Sequence, residues 1–296
     1  MSVLTEEEVS HLTTLAEAIE DQGLRDNALS LIGRMTEVIE GVGDRPITWQ
    51  PTIIKVLQSM SNMEQVMEGG APVRAGSMVA GSTTIANGLR VIPLIIWQSR
   101  SLWDPNPDST TRLCSSPDAK LGWNHGNCYE CELGVSKEEG KPPACNKEYS
   151  FLVINQDLSD IYRLTFAKSQ YRAGMDWQKE VTMSRTHPYK RVYSLSGEPQ
   201  QKNKKIFELK AKILGTTTGQ EGFPASPAYM TFLAALHEKN TSDRKKYLES
   251  YHADTEKRLL LRADGATGAA IGSALEHRPE GEAQAGTPSN GTTYAF

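Results

Sequence analysis

All four cysteines of this 296-residue chain fall between Cys114 and Cys145. Their spacing is C-x13-C-x2-C-x13-C: Cys114, the knuckle Cys128-Tyr129-Glu130-Cys131, then Cys145. Two thiolates joined by a two-residue turn clamp one side of a tetrahedral ion, and two more, each reached through a loop, close the other side. Soft thiolates select zinc over magnesium or calcium. The spacing therefore predicts a Zn2+ site held by Cys114, Cys128, Cys131 and Cys145. His125 is the alternative fourth ligand, because H-x2-C-x2-C is also a workable clamp. A complete shell leaves no position for water, which makes the ion a scaffold and not a catalyst. A redox C-x-x-C pair would leave the two symmetric flanking cysteines unexplained. A disulfide framework belongs to oxidising compartments. The sequence opens MSVLTEEEVSHL, with neither a basic n-region nor an apolar h-region, so the expectation is an intracellular chain.

On either side of this stretch the character of the chain changes. Residues 1–68 read as an N-terminal helical segment. Thr5-Glu6-Glu7-Glu8 fits a capping box, and Val9, Leu12, Ala16 and Ile19 follow at helical spacing. Gly23 interrupts the pattern, and Leu24, Ala28, Leu31, Ile32, Met35 and Val38 resume it. The first 40 residues carry nine acidic and two basic side chains, which suits either an interaction arm or a solvated helix pair lying on the main domain. A further short helix is expected over Thr52 to Glu68, with Met60, Met63 and Met67 as core filler. Residues 69–88 are Gly-, Ala- and Ser-rich and read as a linker.

From residue 89 the pattern is that of strands. Leu89–Ser99, Tyr149–Asn155, Ile161–Lys168, Tyr189–Gly197 and Lys204–Gly215 are each bounded by turn signals. Ser169–Met183 reads as a short helix or ordered loop between the third and the fourth. Strand, long insertion, strand, strand, helix, strand, strand is the order of an OB-fold, a five-stranded Greek-key barrel. The expected fold is thus mixed but mainly β: an OB-fold-like barrel over 89–222 with a zinc-binding insertion at 114–145, flanked by N- and C-terminal helices. The C-terminal helical segment covers 223–263, with breaks expected near Asn240–Ser242. Residues 264–296 read as a disordered tail ending in Tyr294-Ala295-Phe296.

No catalytic constellation stands out, and the expectation is a protein that is not an enzyme. Phosphate-binding glycine loops are absent, as are HExxH and a His-x-Glu ahead of the Cys-x-x-Cys. The longest apolar run, Val91 to Trp97, is strand-sized and far short of a membrane span. Charge is more informative. Between Arg163 and Gly215 there are twelve Lys/Arg against four Asp/Glu, in a protein of net charge −4. Aromatic residues are interleaved with these cations. Single-stranded nucleic acid is held by this combination, because cations track phosphates and aromatic faces stack on bases. The candidate contacts are Trp97, Arg100, Trp103, Arg163, Lys168, Tyr171, Arg172, Tyr189, Lys190, Arg191, Tyr193, Lys210 and Lys212. Phe166 and Phe207, by contrast, read as barrel core.

The segments LRVIPLIIWQSRSLWDPNP, CSSPDAKLG, the Cys-x-x-Cys, the distant Cys145 and RLTFAKSQYRAGMDW together resemble the single-stranded DNA-binding proteins of tailed bacteriophages. The likeness runs over roughly Leu89 to Gly215. It implies an OB-fold, zinc-containing protein, cooperative coating of single-stranded DNA, service in phage DNA replication, recombination and repair, and residence in the cytoplasm of the infected host; binding is expected to be nearly sequence-independent. Members of this family often end in an acidic tail with a terminal aromatic that recruits partner enzymes. Here the tail ends in Phe296, with Glu276, Glu280 and Glu282 against Arg278, and recruitment of replication or recombination proteins and self-association are further expectations. Two other functions fit the residues: a zinc-ribbon accessory factor that docks on a polymerase, and a virion structural protein.

Overall fold

The computed structural model describes residues 4–39, 47–48, 50–58, 67–68, 71–81, 83–106, 111–135, 143–200, 203–216 and 226–263. The chain divides into two compact units, Met1–Ile96 with Tyr149–Asp243, and Trp97–Glu148 with Arg244–Phe296. Helices α1 (Glu6–Glu17) and α2 (Gln22–Thr36) lead into a minimal ladder of β1 (Val38–Ile39) on β2 (Ile47–Thr48). After β3 (Thr52–Val56) comes a second such ladder, β4 (Met67–Glu68) on β5 (Ala71–Pro72), then β6 (Met78–Ala80) and β7 (Thr83–Ile85). The boundary between units falls within β8 (Leu89–Trp103). The second unit adds β9 (Arg112–Ser116) and the hairpin β10 (Leu121–Gly122) and β11 (Gly126–Asn127). β12 (Asn146–Asn155) returns the chain to the first unit, followed by β13 (Ile161–Phe166), α3 (Tyr171–Met183), β14 (Arg191–Pro199) and β15 (Phe207–Thr216). Last comes α4 (Pro227–Ala263), whose residues from Arg244 onward belong to the second unit.

In the first unit the sheet order is β15-β14-β8-β12-β13-β3-β6-β7. Its five leading members are the five expected strands, and α3 lies between β13 and β14 in sequence, as the pattern predicts. The molecule is therefore mixed and mainly β, with a long sheet and flanking helices. Burial explains why this core forms. Phe151, Val153, Leu164, Phe166, Tyr193 and Leu195 point to one side and are buried. α3 closes over them with Trp177, whose ring stacks on Phe151 at 4.0 Å and meets Phe166 and Tyr193 edge-on. Gly174 lets α3 approach this closely, since a Cβ there would lie 2.8 Å from Cγ of Phe166 and 3.0 Å from Cβ of Tyr149.

The N-terminal helices form as the caps dictate. The Glu8 amide donates to Thr5 Oγ1 (3.2 Å) while Glu8 Oε2 accepts from the Thr5 amide (2.8 Å), and Asp21 accepts from the Leu24 amide at 3.0 Å. Leu12, Ala16, Ile19, Ala28, Leu31, Ile32 and Met35 are all buried. α2 is tied to the β12–β13 turn, where Arg34 pairs with Asp160 at 2.7 Å and Asn27 donates to the Asp157 carbonyl at 2.8 Å. The pair thus packs on its own unit.

Three expectations are corrected. The helix expected over Thr52 to Glu68 gives way at its start to β3 and at its end to β4, and residues 59–66 lie outside the described residues; β3 runs parallel to β13 with Ile54 opposite Leu164. Ile53, Ile54 and Val56 are β-branched, and Ile54 and Val56 are buried, so sheet packing overrides the weak helical period. Met60 and Met63 lie outside the described residues. The presumed linker 69–88 contributes β6 and β7, with Met78 and Val79 buried. Gly76 serves close approach as well as turning. Gly76 sits at φ +88 with a Cβ position only 2.6 Å from the Phe207 ring, and a Cβ on Gly197 would collide with the Gly76 carbonyl. Beside them the Gln58 side chain behaves like a strand neighbour: its Nε2 donates to the Phe207 carbonyl (2.8 Å) and its Oε1 accepts from the Phe207 amide (2.9 Å). The third correction is α4, which runs unbroken through Asn240–Ser242. Asn240 is buried and donates to the Leu236 carbonyl at 2.7 Å, and Lys239 pairs with Asp243 at 2.7 Å. The tail 264–296 lies outside the described residues. Among those residues no helix is long and apolar enough to cross a membrane.

Candidate metal centre and nucleic-acid contacts

In the second unit the four cysteines line one pocket, together with His125, Gly122 and Arg100. Each arrives on a different piece of backbone. Cys114 stands on β9 opposite Leu102 of β8. Cys128 follows β11, and its amide donates to the Lys120 carbonyl at 2.8 Å. Cys131 precedes a 3-10 turn at Glu132–Gly134, where the Gly134 amide donates to the Cys131 carbonyl at 2.9 Å. Cys145 is tied back by its amide to the Leu133 carbonyl at 2.8 Å. Gly122 forms the floor between two of the thiols: a Cβ there would lie 2.9 Å from Cys114 Sγ and 3.5 Å from Cys128 Sγ.

All four thiols are free. Cys114, Cys128 and Cys145 are buried and Cys131 is half-buried. Burial pushes the Cys114 and Cys128 thiols up, and lifts Cys145 to about 11. Opposing groups favour the thiolates. The Asn124 and His125 amides act on Cys114, the Ser116 hydroxyl and Arg100 on Cys128, and Arg100 on Cys145. As the side chains stand, no three His, Cys, Asp or Glu donors among the described residues are grouped at metal-ligand spacing. What the pocket does offer is convergence, backbone amides aimed at sulfur, and a glycine floor. Thiol donors of this kind are those a soft tetrahedral ion takes. His125 borders the same pocket but is exposed.

A brace that the sequence reading missed comes from the second half of α4. Tyr251 donates to the Ser115 carbonyl (2.6 Å), Arg244 to the Pro117 carbonyl (2.6 Å), and His252 Nε2 lies 3.0 Å from Asp118 Oδ2. Asp118 Oδ1 accepts from the Lys120 amide at 2.9 Å. Burial works against its carboxylate, but the Lys120 amide and His252 outweigh that and hold its pKa below the usual range. The available signal was Asp118 itself, within CSSPD.

The candidate nucleic-acid residues fall in both units. In the first, Lys168, Arg172, Lys190 and Lys212 are exposed, and Arg163, Tyr171, Tyr189, Arg191 and Lys210 are half-buried. Lys210 and Lys212 of β15 stand opposite Ser196 and Ser194 of β14, on the face away from buried Leu195 and Leu209. Lys210 also pairs with Glu208 at 2.6 Å. Tyr171 leans on Tyr149 with ring centroids 5.1 Å apart, and Tyr189 lies between His187 and His237, each at 5.2 Å. Tyr193 is corrected: it is fully buried against Trp177 and has no face for a base. Phe166 is core, as expected, and Phe207 packs against that core.

In the second unit Trp97 and Trp103 each have a cation over the ring, Arg244 and Arg112 respectively, both at 4.6 Å. Trp103 is exposed, and its Nε1 donates to Ser101 Oγ at 3.1 Å. Trp123 is covered likewise by Arg258 at 5.2 Å. Arg100 is 7% exposed and belongs to the cysteine pocket, where it cannot reach a phosphate in solvent. Compared with known proteins, the chain matches no family model, no curated protein and no solved structure.

Proposed function

We propose that the protein is a non-enzymatic single-stranded DNA-binding protein with an OB-fold-like core and a structural zinc site. The observation that carries this reading is the outer face of β14–β15, where Lys210 and Lys212 project beside Ser194 and Ser196 on the side away from the core. The same face carries Glu198 opposite Glu208, so its charge is mixed; its lysines contact phosphate without reading sequence. Exposed Lys168, Arg172 and Lys190 and half-buried Tyr171 and Tyr189 add cations and stacking surfaces on the same unit. The second unit offers Trp97 and Trp103 with guanidinium groups over their rings, which a base would join or displace. Support for the OB-like reading comes from the run β15-β14-β8-β12-β13, from α3 between β13 and β14, and from β3 packing in parallel beside β13. Support for zinc comes from the convergence of Cys114, Cys128, Cys131 and Cys145. The ion would supply a rigid tetrahedral cross-link for a stretch with little core of its own.

In this reading the protein coats and protects single strands during phage DNA replication, recombination and repair, in the cytoplasm of the infected host. It works alongside replication or recombination enzymes, with no membrane partner. A fluorescence titration at low salt tests it: the account expects clear preference for oligo-dT over duplex of the same length. Equal affinity for the two would overturn it.

A further inference from the structure

Of the described residues lining the cysteine pocket, Arg100 alone carries a permanent charge. It is 7% exposed, and among the described residues its Nε and Nη1 have no hydrogen-bond partner. Nη1 packs onto the backbone of Gly134, where a Cβ would collide with it. A guanidinium held out of water with unanswered N–H groups is strongly unfavourable. Protonated thiols offer it little, since a thiol is a weak acceptor. Four thiolates around one Zn2+ are different: the cluster carries a net charge of minus two and presents filled sulfur lone pairs. Buried at that charge, it in turn needs a cation. The two unfavourable groups lie in the same pocket and answer each other.

We propose that Arg100 is the internal counter-cation of the metal centre formed by Cys114, Cys128, Cys131 and Cys145, its Nε–H and Nη1–H donating to ligand sulfur when the ion is bound. The inference rests on the zinc reading above and assigns Arg100 to the metal in place of nucleic acid. It makes Arg100 a positioning residue for the ligands, and it explains why Gly134 is glycine. Groups in this role tune affinity by about 10- to 100-fold. The planar fork also distinguishes Arg from Lys, which would restore the charge but reach fewer sulfurs.

The test uses the full chain, zinc in competition with a chromophoric chelator, and Co2+ as a spectroscopic stand-in. Wild type is compared with Arg100→Met, Arg100→Lys and Gly134→Ala. The expected result is Co2+ with a tetrathiolate spectrum in every protein. Zinc affinity should fall about 10- to 100-fold in Arg100→Met, with intermediate losses in Arg100→Lys and in Gly134→Ala, which displaces the guanidinium without deleting it. Metal-free Arg100→Met should melt no lower than metal-free wild type, because an unanswered buried charge has gone. A purely structural arginine would lower the loaded and metal-free melting temperatures together and leave affinity unchanged, and that result overturns the inference. If wild type itself holds no stoichiometric zinc, the metal reading fails, and this inference with it. If wild type holds zinc and every variant holds it equally, only the role of Arg100 fails.

Discussion

Gly122→Ala is the most direct probe of the metal pocket. The new Cβ would start 2.9 Å from Cys114 Sγ, 3.5 Å from Cys128 Sγ and 3.5 Å from the Gly126 carbonyl oxygen. Ordinary contact is at about 3.7 Å, so the Cys114 sulfur must retreat by roughly 0.8 Å or the β10–β11 hairpin must shift. Metal–sulfur bonds tolerate only about 0.2 Å. Cys114 is expected to turn aside in the metal-free protein, so that the penalty falls mainly on the loaded form. Overpacking by one methyl costs about 1–3 kcal/mol, which corresponds to a loss of about 5- to 150-fold in zinc affinity. Chelator competition reads that loss, and melting with and without zinc shows whether the metal-linked increment shrinks. Wild-type affinity with an unchanged increment would refute the placement of the ion between these thiols.

Three other outcomes are expected. Lys212→Ala should reduce the slope of log K against log salt for oligo-dT by about 0.7, the value of one single-strand phosphate contact. Lys210→Ala should reduce it by less, because Glu208 already pairs with that ammonium, and neither should change the melting temperature. Zinc binding at neutral pH should release about one proton per ligand cysteine, measurable by calorimetry in two buffers of different ionisation enthalpy, since an ordinary thiol is protonated there and burial raises Cys114, Cys128 and Cys145 further. The sign follows for stability. The folded chain holds these protons more tightly than the unfolded one, so metal-free stability is present below the ordinary thiol range and is lost as pH climbs through it toward about 11, while the loaded protein, whose thiolates carry no protons, shows no such loss. Trp177→Ala should cost about 3–5 kcal/mol in denaturant melts, because the ring is buried and meets Phe151, Phe166 and Tyr193.

How far the sequence discloses this molecule depends on whether a signal is local. The strands β8, β12, β13, β14 and β15 were legible because alternation and turn residues are read within a few positions. The Thr5 capping box and Asp21 cap are equally local. β3 was not legible, because its pairing with β13 joins residues more than a hundred positions apart and the segment is too short for its period to decide. Residues 69–88 misled for a related reason. Gly76 answers the Phe207 ring and Gly197, neither of which is near in sequence. The cysteine spacing picked out four thiols that do line one pocket. Arg100 and Tyr193 were misread because polarity or an aromatic ring beside basic residues does not report burial. The α4 brace on Ser115 and Asp118 spans separations of 136 and 134 residues, which no spacing rule reaches.

The central claim is single-strand binding through phosphate contacts, and its most direct test is the equilibrium titration of oligo-dT over a series of salt concentrations, on zinc-loaded protein and on chelator-stripped protein. The account predicts tight binding at low salt, a linear fall of log K with log salt at several multiples of about −0.7, and weaker binding after the metal is removed. Absence of binding at the lowest salt, or affinity indifferent to salt, would contradict it.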